Sequence, residues 1–239
     1  MFTSDFYYIT FVNYNHQYLN LLKSTVESVK QFSKYQLIIY FVDCPDYISN
    51  EFKHEKIIIR HIDNIKLPSI YYYKPYVIID AIKNGVQIGY YIESDDVLTP
   101  NADGLYKIAQ NLTNLPISPI HPDFPQIPYS DFEICNVIGP SQHYVHGHVL
   151  FKNTNIQFLE EWMHYCLKYN SFRNADETVL NMIYWKYGCQ NHYLPIIDPW
   201  FEEFYTNESS RKSSCSFHGC KDPSVQLKLF EDMKIFYKS

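Results

Sequence analysis

Short, nearly continuous apolar runs recur along the first hundred residues and constrain the fold more than any other feature of the chain. They are rich in Ile, Val, Tyr and Phe and lie at Phe6–Val12, Leu37–Val42, Ile57–Ile62 and Ile88–Ile92. Runs of this length without polar alternation are typical of strands covered on both faces. Apolar residues at helical spacing occupy 15–32 and 76–83, between these runs. The alternation predicts an α/β fold with a mostly parallel central sheet flanked by helices.

Three further helices are expected in the second half of the chain. Thr154 with Gln157 and Asn174 with Glu177 have the spacing of capping boxes. These pairs predict helices that run to about residues 169 and 187. The segment 225–236 is expected to form a last helix.

Two other segments are set apart by their composition. Five prolines between 115 and 129 exclude a helix or strand there and predict a long ordered loop. The polar stretch 207–215 is expected to be mobile. Because no internal repeat is visible and the chain has 239 residues, we expect a single domain.

Charge and cysteine content exclude several classes of protein. The formal net charge is −6 and the Lys and Arg residues are scattered, which argues against a nucleic-acid partner. No apolar run approaches the roughly 20 residues that cross a bilayer, and the N-terminus lacks a secretory pattern. The six cysteines are too dispersed for a disulfide framework. These features predict a cytoplasmic protein without a membrane span.

The seven glycines do not form a cluster that could bring backbone amides against a phosphate. Rossmann-type dinucleotide sites and P-loops are therefore unsupported. If the protein handles a diphosphate, a metal ion must neutralise it.

Three acids follow the last apolar run, at Glu93, Asp95 and Asp96. In an extended backbone Glu93 and Asp95 point the same way and Asp96 turns to the other side. Two carboxylates on one face favour Mg²⁺ or Mn²⁺, and an added imidazole would favour Mn²⁺. The alternative is that the acids cap a helix that begins near Pro100.

The C-terminal part of the chain offers an imidazole and a lysine, His218 and Lys221. His218 is placed to complete the metal site, and Lys221 to pair with a phosphate. The alternative is a zinc site from Cys215, His218 and Cys220, which crowd six residues and need a distant fourth ligand. Lys74, one helix upstream of the acids, is also placed to reach a phosphate, or it is simply solvated.

Three histidines, His143, His146 and His148, flank Gly147. His146 and His148 would share a strand face, which His143 would not. Zinc binding, a hydrogen bond to a sugar hydroxyl, and ordinary packing or exposure are the three interpretations.

Four stretches of the chain together resemble the GT-A nucleotide-sugar glycosyltransferases, most closely the glycogenin and bacterial lipopolysaccharide galactosyltransferase family. They lie in order along nearly the whole chain: Asn13, Tyr14, Tyr18 and Leu19; Glu93, Ser94 and Asp95; Ala175 to Asn181; and His218, Gly219 and Lys221. In the family the first tyrosine lies against the base and an Asp-x-Asp motif binds the metal. Here Glu93 stands at the first metal-binding position.

The resemblance implies a role for each matching residue. Glu93, Asp95 and His218 would hold Mn²⁺ or Mg²⁺, and Asp176 would be the catalytic residue that orients the acceptor or, if the enzyme inverts, takes its proton. The position of Glu177 in its helix, apart from the resemblance, predicts a cap. The donor would be bound by Thr10, Asn13, Tyr14, Lys74, Ser94, Asp96, Gly147, His148, Gly219 and Lys221.

The implied reaction moves a sugar from a nucleoside diphosphate sugar, expected to be a UDP-sugar, to a hydroxyl of a glycan or protein acceptor. Residues 1–100 would bind the nucleotide, 101–205 the donor sugar and acceptor, and 206–239 would supply metal and phosphate ligands. Two rival hypotheses are a non-catalytic sugar- or nucleotide-binding module on the same fold and a hydrolase built on the histidine cluster.

Overall fold

A mostly parallel sheet forms the centre of the molecule. The computed structural model describes residues 4–121, 144–169, 175–188, 193–194 and 199–238. Its strands are β1 Tyr7–Asn13, β2 Gln36–Val42, β3 Ile57–Ile62, β4 Ile88–Tyr91, β5 Val97–Leu98, β6 Val149–Lys152 and β7 Ser216–Phe217. Within the described residues the main sheet has the order β3-β2-β1-β4-β6, in which β1 to β4 are parallel and β6 is antiparallel to β4. The predicted α/β sheet is confirmed.

Both faces of this sheet are buried, as the apolar runs predict. Ile9 and its β2 neighbour Ile38 belong to one apolar cluster, and Tyr8 and Ile39 belong to another on the opposite face. Consecutive side chains of a strand point to opposite faces, so an unbroken apolar run supplies both clusters. This arrangement leaves the strand ends as the places where polar side chains gather.

Helices cover the two faces of the sheet. They are α1 His16–Phe32, α2 Asp46–Asn50, α3 Tyr73–Lys83, α4 Leu105–Gln110, α5 Ile156–Lys168, α6 Ala175–Lys186, α7 Glu203–Thr206, α8 Glu208–Ser213 and α9 Pro223–Phe236, with 3₁₀ turns at Ile70–Tyr72, Pro100–Gly104 and Asn153–Asn155. The helices predicted from periodicity and capping patterns are confirmed to within a few residues. In the described part of the chain, none of them is long and apolar enough to cross a membrane.

One local prediction is wrong in detail, and one helix was not predicted. Thr154 does not open α5, because the backbone N–H of Lys152 donates to Asn155 Oδ1 at 2.7 Å and a 3₁₀ turn precedes the helix. The polar stretch 207–215, which is expected to be mobile, contains α8, because the Asn207 side chain accepts from Ser210 N–H and starts that helix. Short polar side chains at a helix start outweigh the low apolar content of that stretch.

Other predictions fall partly outside the described residues. Asn174, the proposed cap of α6, lies outside the described residues. The proline-rich segment is described only to residue 121, where Ile117 bridges Leu150 and Ile120 bridges Val145. Its later part, 122–129, lies outside.

The small sheet of β5 and β7 brings the C-terminal part of the chain onto the first half. The strands are antiparallel, with Val97 opposite Phe217. Phe217 packs in an apolar cluster with Leu229 and Phe230 of α9. Because β5 follows the acids 93–96 and β7 precedes residues 218–221, this register places the two polar segments side by side.

One carboxylate ties the end of α1 to the sheet and can be tested by mutation. Asp103 accepts hydrogen bonds from Tyr8 Oη at 3.1 Å, Ser33 Oγ at 2.6 Å and the N–H of Lys34 at 3.0 Å. Asp103→Ala removes the acceptor of a buried phenol, so we expect the free energy of unfolding to fall by about 2 kcal/mol in urea denaturation.

Tyr8→Phe in the Asp103→Ala background is the control. Because the phenol has then already lost its acceptor, this second change should cost less than it does in the wild type. Fully additive losses would show that the Tyr8–Asp103 bond does not contribute.

Candidate active site

The acids after β4 form a turn rather than an extended strand. The N–H of Asp96 donates to Glu93 O at 3.2 Å, and the N–H of Glu93 donates to Asp96 Oδ2 at 2.7 Å. The predicted extended geometry is therefore wrong, although Glu93 and Asp95 do face one cavity and Asp96 is absent from its described lining. The capping alternative is also wrong, because Thr99 caps the following turn by accepting from the N–H of Asn101.

The cavity lies beyond the carboxyl ends of β1 and β4, where ligands collect in open α/β sheets. Its volume is about 460 Å³. Its described lining consists of Phe11, Val12, Asn13, Asn15, Tyr18, Ile70, Tyr71, Lys74, Tyr91, Glu93, Ser94, Asp95 and Lys221. Aromatic side chains, two acids and two lysines therefore surround one space.

Lys74 is a buried ammonium group among three acids. Its Nζ lies 2.6 Å from Glu93 Oε1, 2.9 Å from Asp176 Oδ2 and 3.9 Å from Glu177 Oε1, with the side chain 5% exposed. Burial opposes the charged form, but Asp176 and Glu93 outweigh it and hold the pKa of Lys74 well above its usual value. Burial likewise opposes ionisation of Glu93, and Lys74 outweighs it and lowers the pKa of that acid. Lys74 is thus not solvated, and its ammonium group contacts acids of the protein itself.

Gly147 makes room for this lysine. A Cβ atom at residue 147 would lie 2.6 Å from Lys74 Nζ and 3.1 Å from Glu177 Oε1. The N–H of Gly147 donates to Glu177 Oε1 at 2.9 Å. Gly147, predicted to bind the donor, instead contacts Lys74 and Glu177. The described bond of the Glu177 carboxylate goes to the segment before β6 rather than to its own helix.

The pKa of Glu177 is raised, which favours the neutral form of its carboxyl group. Burial raises its pKa to about 7, Lys74 opposes the shift, and Asp176 and Glu93 add to it. The carboxyl groups around Lys74 therefore share more negative charge than one ammonium group neutralises.

Asp96, His148 and His146 form a buried chain of polar contacts. His148 Nε2 lies 2.6 Å from Asp96 Oδ2, the two Nδ1 atoms of His148 and His146 are in contact, and His146 Nε2 lies 3.8 Å from Glu177 Oε1. The prediction that His146 and His148 share a face is confirmed, with ring centroids 4.3 Å apart. The described cavity lining includes neither of them, nor Asp96, so a direct donor contact finds no support here. His143 lies outside the described residues.

Lys221 reaches the acid turn from the C-terminal segment. Its Nζ lies 2.6 Å from Asp95 Oδ2, and its backbone carbonyl accepts from Gln17 Nε2 at 2.6 Å. Burial and the charge of Glu93 raise the pKa of Asp95, and Lys221 opposes this. Lys221 thus lies in the cavity wall beside the acid turn, and its pairing with a phosphate stays a prediction.

Gly219 shapes the segment that carries Lys221. Its φ of +83° is a conformation that glycine adopts readily, and a Cβ would lie 2.1 Å from Trp200 Cε3. Gly219 therefore allows the backbone conformation of this segment, and it is absent from the described cavity lining.

His218 packs behind the cavity wall. Its ring centroid lies 4.4 Å from that of Trp200 and 4.8 Å from that of His146. Among the described residues, no three His, Cys, Asp or Glu side chains stand in position to hold a metal ion, which includes Cys215, His218 and Cys220. Of the predicted metal ligands, only Glu93 and Asp95 line the cavity.

The donor chemistry of the cavity nevertheless fits a hard divalent cation. Mg²⁺-type ions are commonly held by one or two carboxylates together with substrate phosphates and water, without a complete cage of protein ligands. Glu93 and Asp95 supply two such carboxylates on one wall. Burial is the main cause of the raised pKa of Asp95, and the negative charge of Glu93 adds to it.

The predicted base-binding residues are only partly in the cavity. Asn13 lines it, Thr10 is fully buried in β1, and Tyr14 points to Tyr47 with the two hydroxyls 3.1 Å apart. Tyr18 and Tyr71 are the tyrosines of the rim, together with Ile70. The sequence signal for Tyr71 is its place three residues before Lys74, one helical turn away.

Comparison with known proteins identifies the fold. No family model matches the chain, and no curated protein matches its sequence. Among solved structures, the galactosyltransferase LgtC in complex with donor and acceptor sugar analogs superposes with a TM-score of 0.57 at 10% identity over 95% of each chain. The apo-form glycosyltransferase GlyE of Streptococcus pneumoniae TIGR4 gives 0.60 at 13% identity over 98% of this chain and 64% of GlyE.

The chain has a GT-A type fold. An active-site mutant of LgtC gives a similar result, with a TM-score of 0.60 at 10% identity over 95% of each chain. The GT-A fold predicted from the sequence is confirmed.

The Lys74 contacts predict a large loss of stability in Lys74→Met. Removal of the ammonium leaves two buried acids and the partly buried Glu93 without their shared cation, so the free energy of unfolding should fall by about 3 kcal/mol or more in urea. Lys83→Met is the matched control, because the side chains of Lys83 and Glu160 are 60% and 48% exposed. It should change stability by less than about 1 kcal/mol. Equal effects of the two changes would contradict the assignment.

The raised pKa of Glu177 predicts that the stability of the protein depends on pH. The pKa of Glu177 rises from 4.5 to about 7 on folding, so folded protein binds the proton more tightly and stability is lost as pH rises through this interval. Glu177→Gln keeps an acceptor for the N–H of Gly147 and removes the ionisation. The variant should gain on the order of 2 kcal/mol relative to wild type between pH 4.5 and pH 8. Parallel stability curves over this range would refute it.

Proposed function

We propose that the protein is a glycosyltransferase that moves a sugar from a nucleoside diphosphate sugar, with UDP as the nucleotide, to a hydroxyl of a glycan or protein. The observation that carries the proposal is the cavity at the strand ends of a GT-A fold, where Glu93 and Asp95 face Lys221 and a tyrosine rim. The likeness to LgtC, which binds donor and acceptor sugar analogs, supports it.

A divalent cation, Mn²⁺ or Mg²⁺, would be held by Glu93 and Asp95 together with phosphate oxygens of the donor and water. His218, the third ligand expected from the sequence, does not line the cavity and is not part of the proposed site. Asp176 and Glu177 add further acids behind the wall, where they face Lys74. A diphosphate would bring more negative charge into this acid-rich region, which favours a site that also takes up a cation. Such a cation neutralises the negative charge that develops on the leaving diphosphate.

The remaining residues would bind and orient the donor. Asn13 and Ser94 offer polar contacts at the mouth of the cavity, and Tyr18 and Tyr71 offer aromatic surface for a base. Lys221 would contact the diphosphate. These roles use side chains that line the same space.

Asp176 would act one layer behind the reacting groups. Asp176 is 2% exposed, and its carboxylate contacts Lys74. The residue is absent from the described cavity lining. Its backbone carbonyl accepts from Trp162 Nε1 at 2.7 Å, which anchors the start of α6. We therefore propose that Asp176 positions Lys74 and, through it, Glu93, rather than taking a proton from the acceptor.

A non-catalytic nucleotide-binding module is the second candidate. The observation that favours it is that Glu93 and Asp95 each already have a lysine partner, Lys74 and Lys221. The hydrolase hypothesis receives no support, since His146 and His148 are buried and absent from the described cavity lining.

Thermal stabilisation by UDP, with and without Mn²⁺, tests the proposal. A ligand at about 100 times its Kd stabilises the folded protein by about 2.7 kcal/mol, so Mn²⁺ and UDP together should raise Tm more than either alone. Release of UDP from UDP-sugars should follow. Binding without turnover for any sugar or acceptor would favour the module, and no metal-dependent shift would refute the glycosyltransferase.

Substitution of the acids locates the site. Glu93→Ala and Asp95→Ala should abolish the Mn²⁺-dependent part of the shift. Glu231→Ala is the control, because Glu231 pairs with Lys234 on the surface of α9, away from the cavity. It should leave the shift unchanged, and an equal loss in the control would contradict the assignment.

A further inference from the structure

We propose that Lys221 is an exchangeable counter-ion of Asp95, which makes binding of the divalent cation depend on the diphosphate. This inference rests on the proposed nucleotide-sugar site. Asp95 Oδ2 accepts from Lys221 Nζ at 2.6 Å, and the Asp95 side chain is 2% exposed. A cation that coordinates this carboxylate competes with the ammonium group, because the two positive charges would repel each other at a few ångströms in a buried site.

The two cavity lysines differ in their freedom to move. Lys74 is held among three acids and its side chain is 5% exposed, whereas the Lys221 side chain is 55% exposed and its described ion pair is with Asp95 alone. Lys74 is thus part of the wall. Lys221 has the exposure that a change of partner requires.

The backbone of Lys221 is fixed while its side chain is not. Gln17 Nε2 donates to the Lys221 carbonyl, and Trp200 packs directly on Gly219. The ammonium lies 5.8 Å from the centre of the Tyr18 ring, at the cavity wall. Rotation about the side-chain bonds is therefore enough to carry the charge from Asp95 toward a ligand in the cavity.

A diphosphate would complete the exchange. It offers Lys221 a new anionic partner inside the same cavity, which frees Asp95 for the cation. Without that partner, the cation must expel Lys221 into a position with no equivalent charge contact. The coupling is reciprocal, so the nucleotide raises the affinity for the cation by the same factor by which the cation raises the affinity for the nucleotide.

Calorimetric titration of Mn²⁺ at pH 7.5 tests the exchange, first without nucleotide and then with saturating UDP. Without nucleotide, Lys221→Met should bind Mn²⁺ at least about tenfold more tightly than wild type, because Asp95 has lost its competing cation. UDP should tighten Mn²⁺ binding in wild type and do so much less in Lys221→Met. Mn²⁺ binding without nucleotide that is unchanged or weaker in Lys221→Met would overturn the proposal.

Two further variants show whether the effect passes through the ion pair. Lys212→Met, which removes a lysine from a surface pair with Glu208, should match wild type. Asp95→Asn combined with Lys221→Met should lose the tightening. A gain in affinity that survives Asp95→Asn would place the competition elsewhere and overturn the proposal.

The titration without nucleotide separates this inference from the proposed function. If Lys221→Met tightens Mn²⁺ binding but UDP has no effect on wild type, the exchange at Asp95 stands and the nucleotide site fails. If UDP and Mn²⁺ bind cooperatively in wild type and equally so in Lys221→Met, the nucleotide site stands and the exchange fails.

Discussion

The buried ammonium group of Lys74 is the contact on which the candidate site depends. It joins the acid turn after β4 to the first turn of α6, through Glu93 on one side and Asp176 and Glu177 on the other. A lysine this deeply buried is stable only when acids replace the water it has lost. The wall of the cavity and the start of a helix are therefore held by one charge, and Gly147 leaves the space in which that charge fits.

The sheet topology explains how segments far apart in sequence meet at this point. Parallel β1 and β4 end at the same edge, so Asn13 and the acid turn face the same cavity. The antiparallel pair β5 and β7 then returns the C-terminal segment to that edge, with Lys221 beside Asp95. Strand pairing brings these segments to the same edge of the sheet, and the ion pairs determine which side chains are in contact.

Much of the fold could be predicted from the sequence, because apolar periodicity is a local signal. Strands β1 to β4 and the longer helices have the predicted bounds to within a few residues. Short polar contacts decide other boundaries: the sequence placed the start of α5 at the wrong residue near Asn155 and missed the start of α8 at Asn207, since competing caps lie within a few residues of each other.

The site was predictable in composition but not in pairing. Glu93, Asp95 and Lys221 do meet in one cavity, as the motifs indicated. The partner of Glu93 was missed, because nothing local to Lys74 distinguishes a buried lysine from a solvated one. Tyr14, matched to the family's base-binding tyrosine by its place in the motif, points to Tyr47 instead, because a motif match does not show where the chain turns after β1.

The different burial of the two lysines suggests a division between structure and chemistry. A fixed cation such as Lys74 can set the geometry of Glu93, but it cannot follow a leaving group, because three acids hold it. An exposed cation such as Lys221 can change partners at little cost, since most of its stem is already in water. An exposed lysine in place of Lys74 would not hold the wall, and a buried lysine in place of Lys221 could not move. The burial of each lysine therefore matches the role proposed for it.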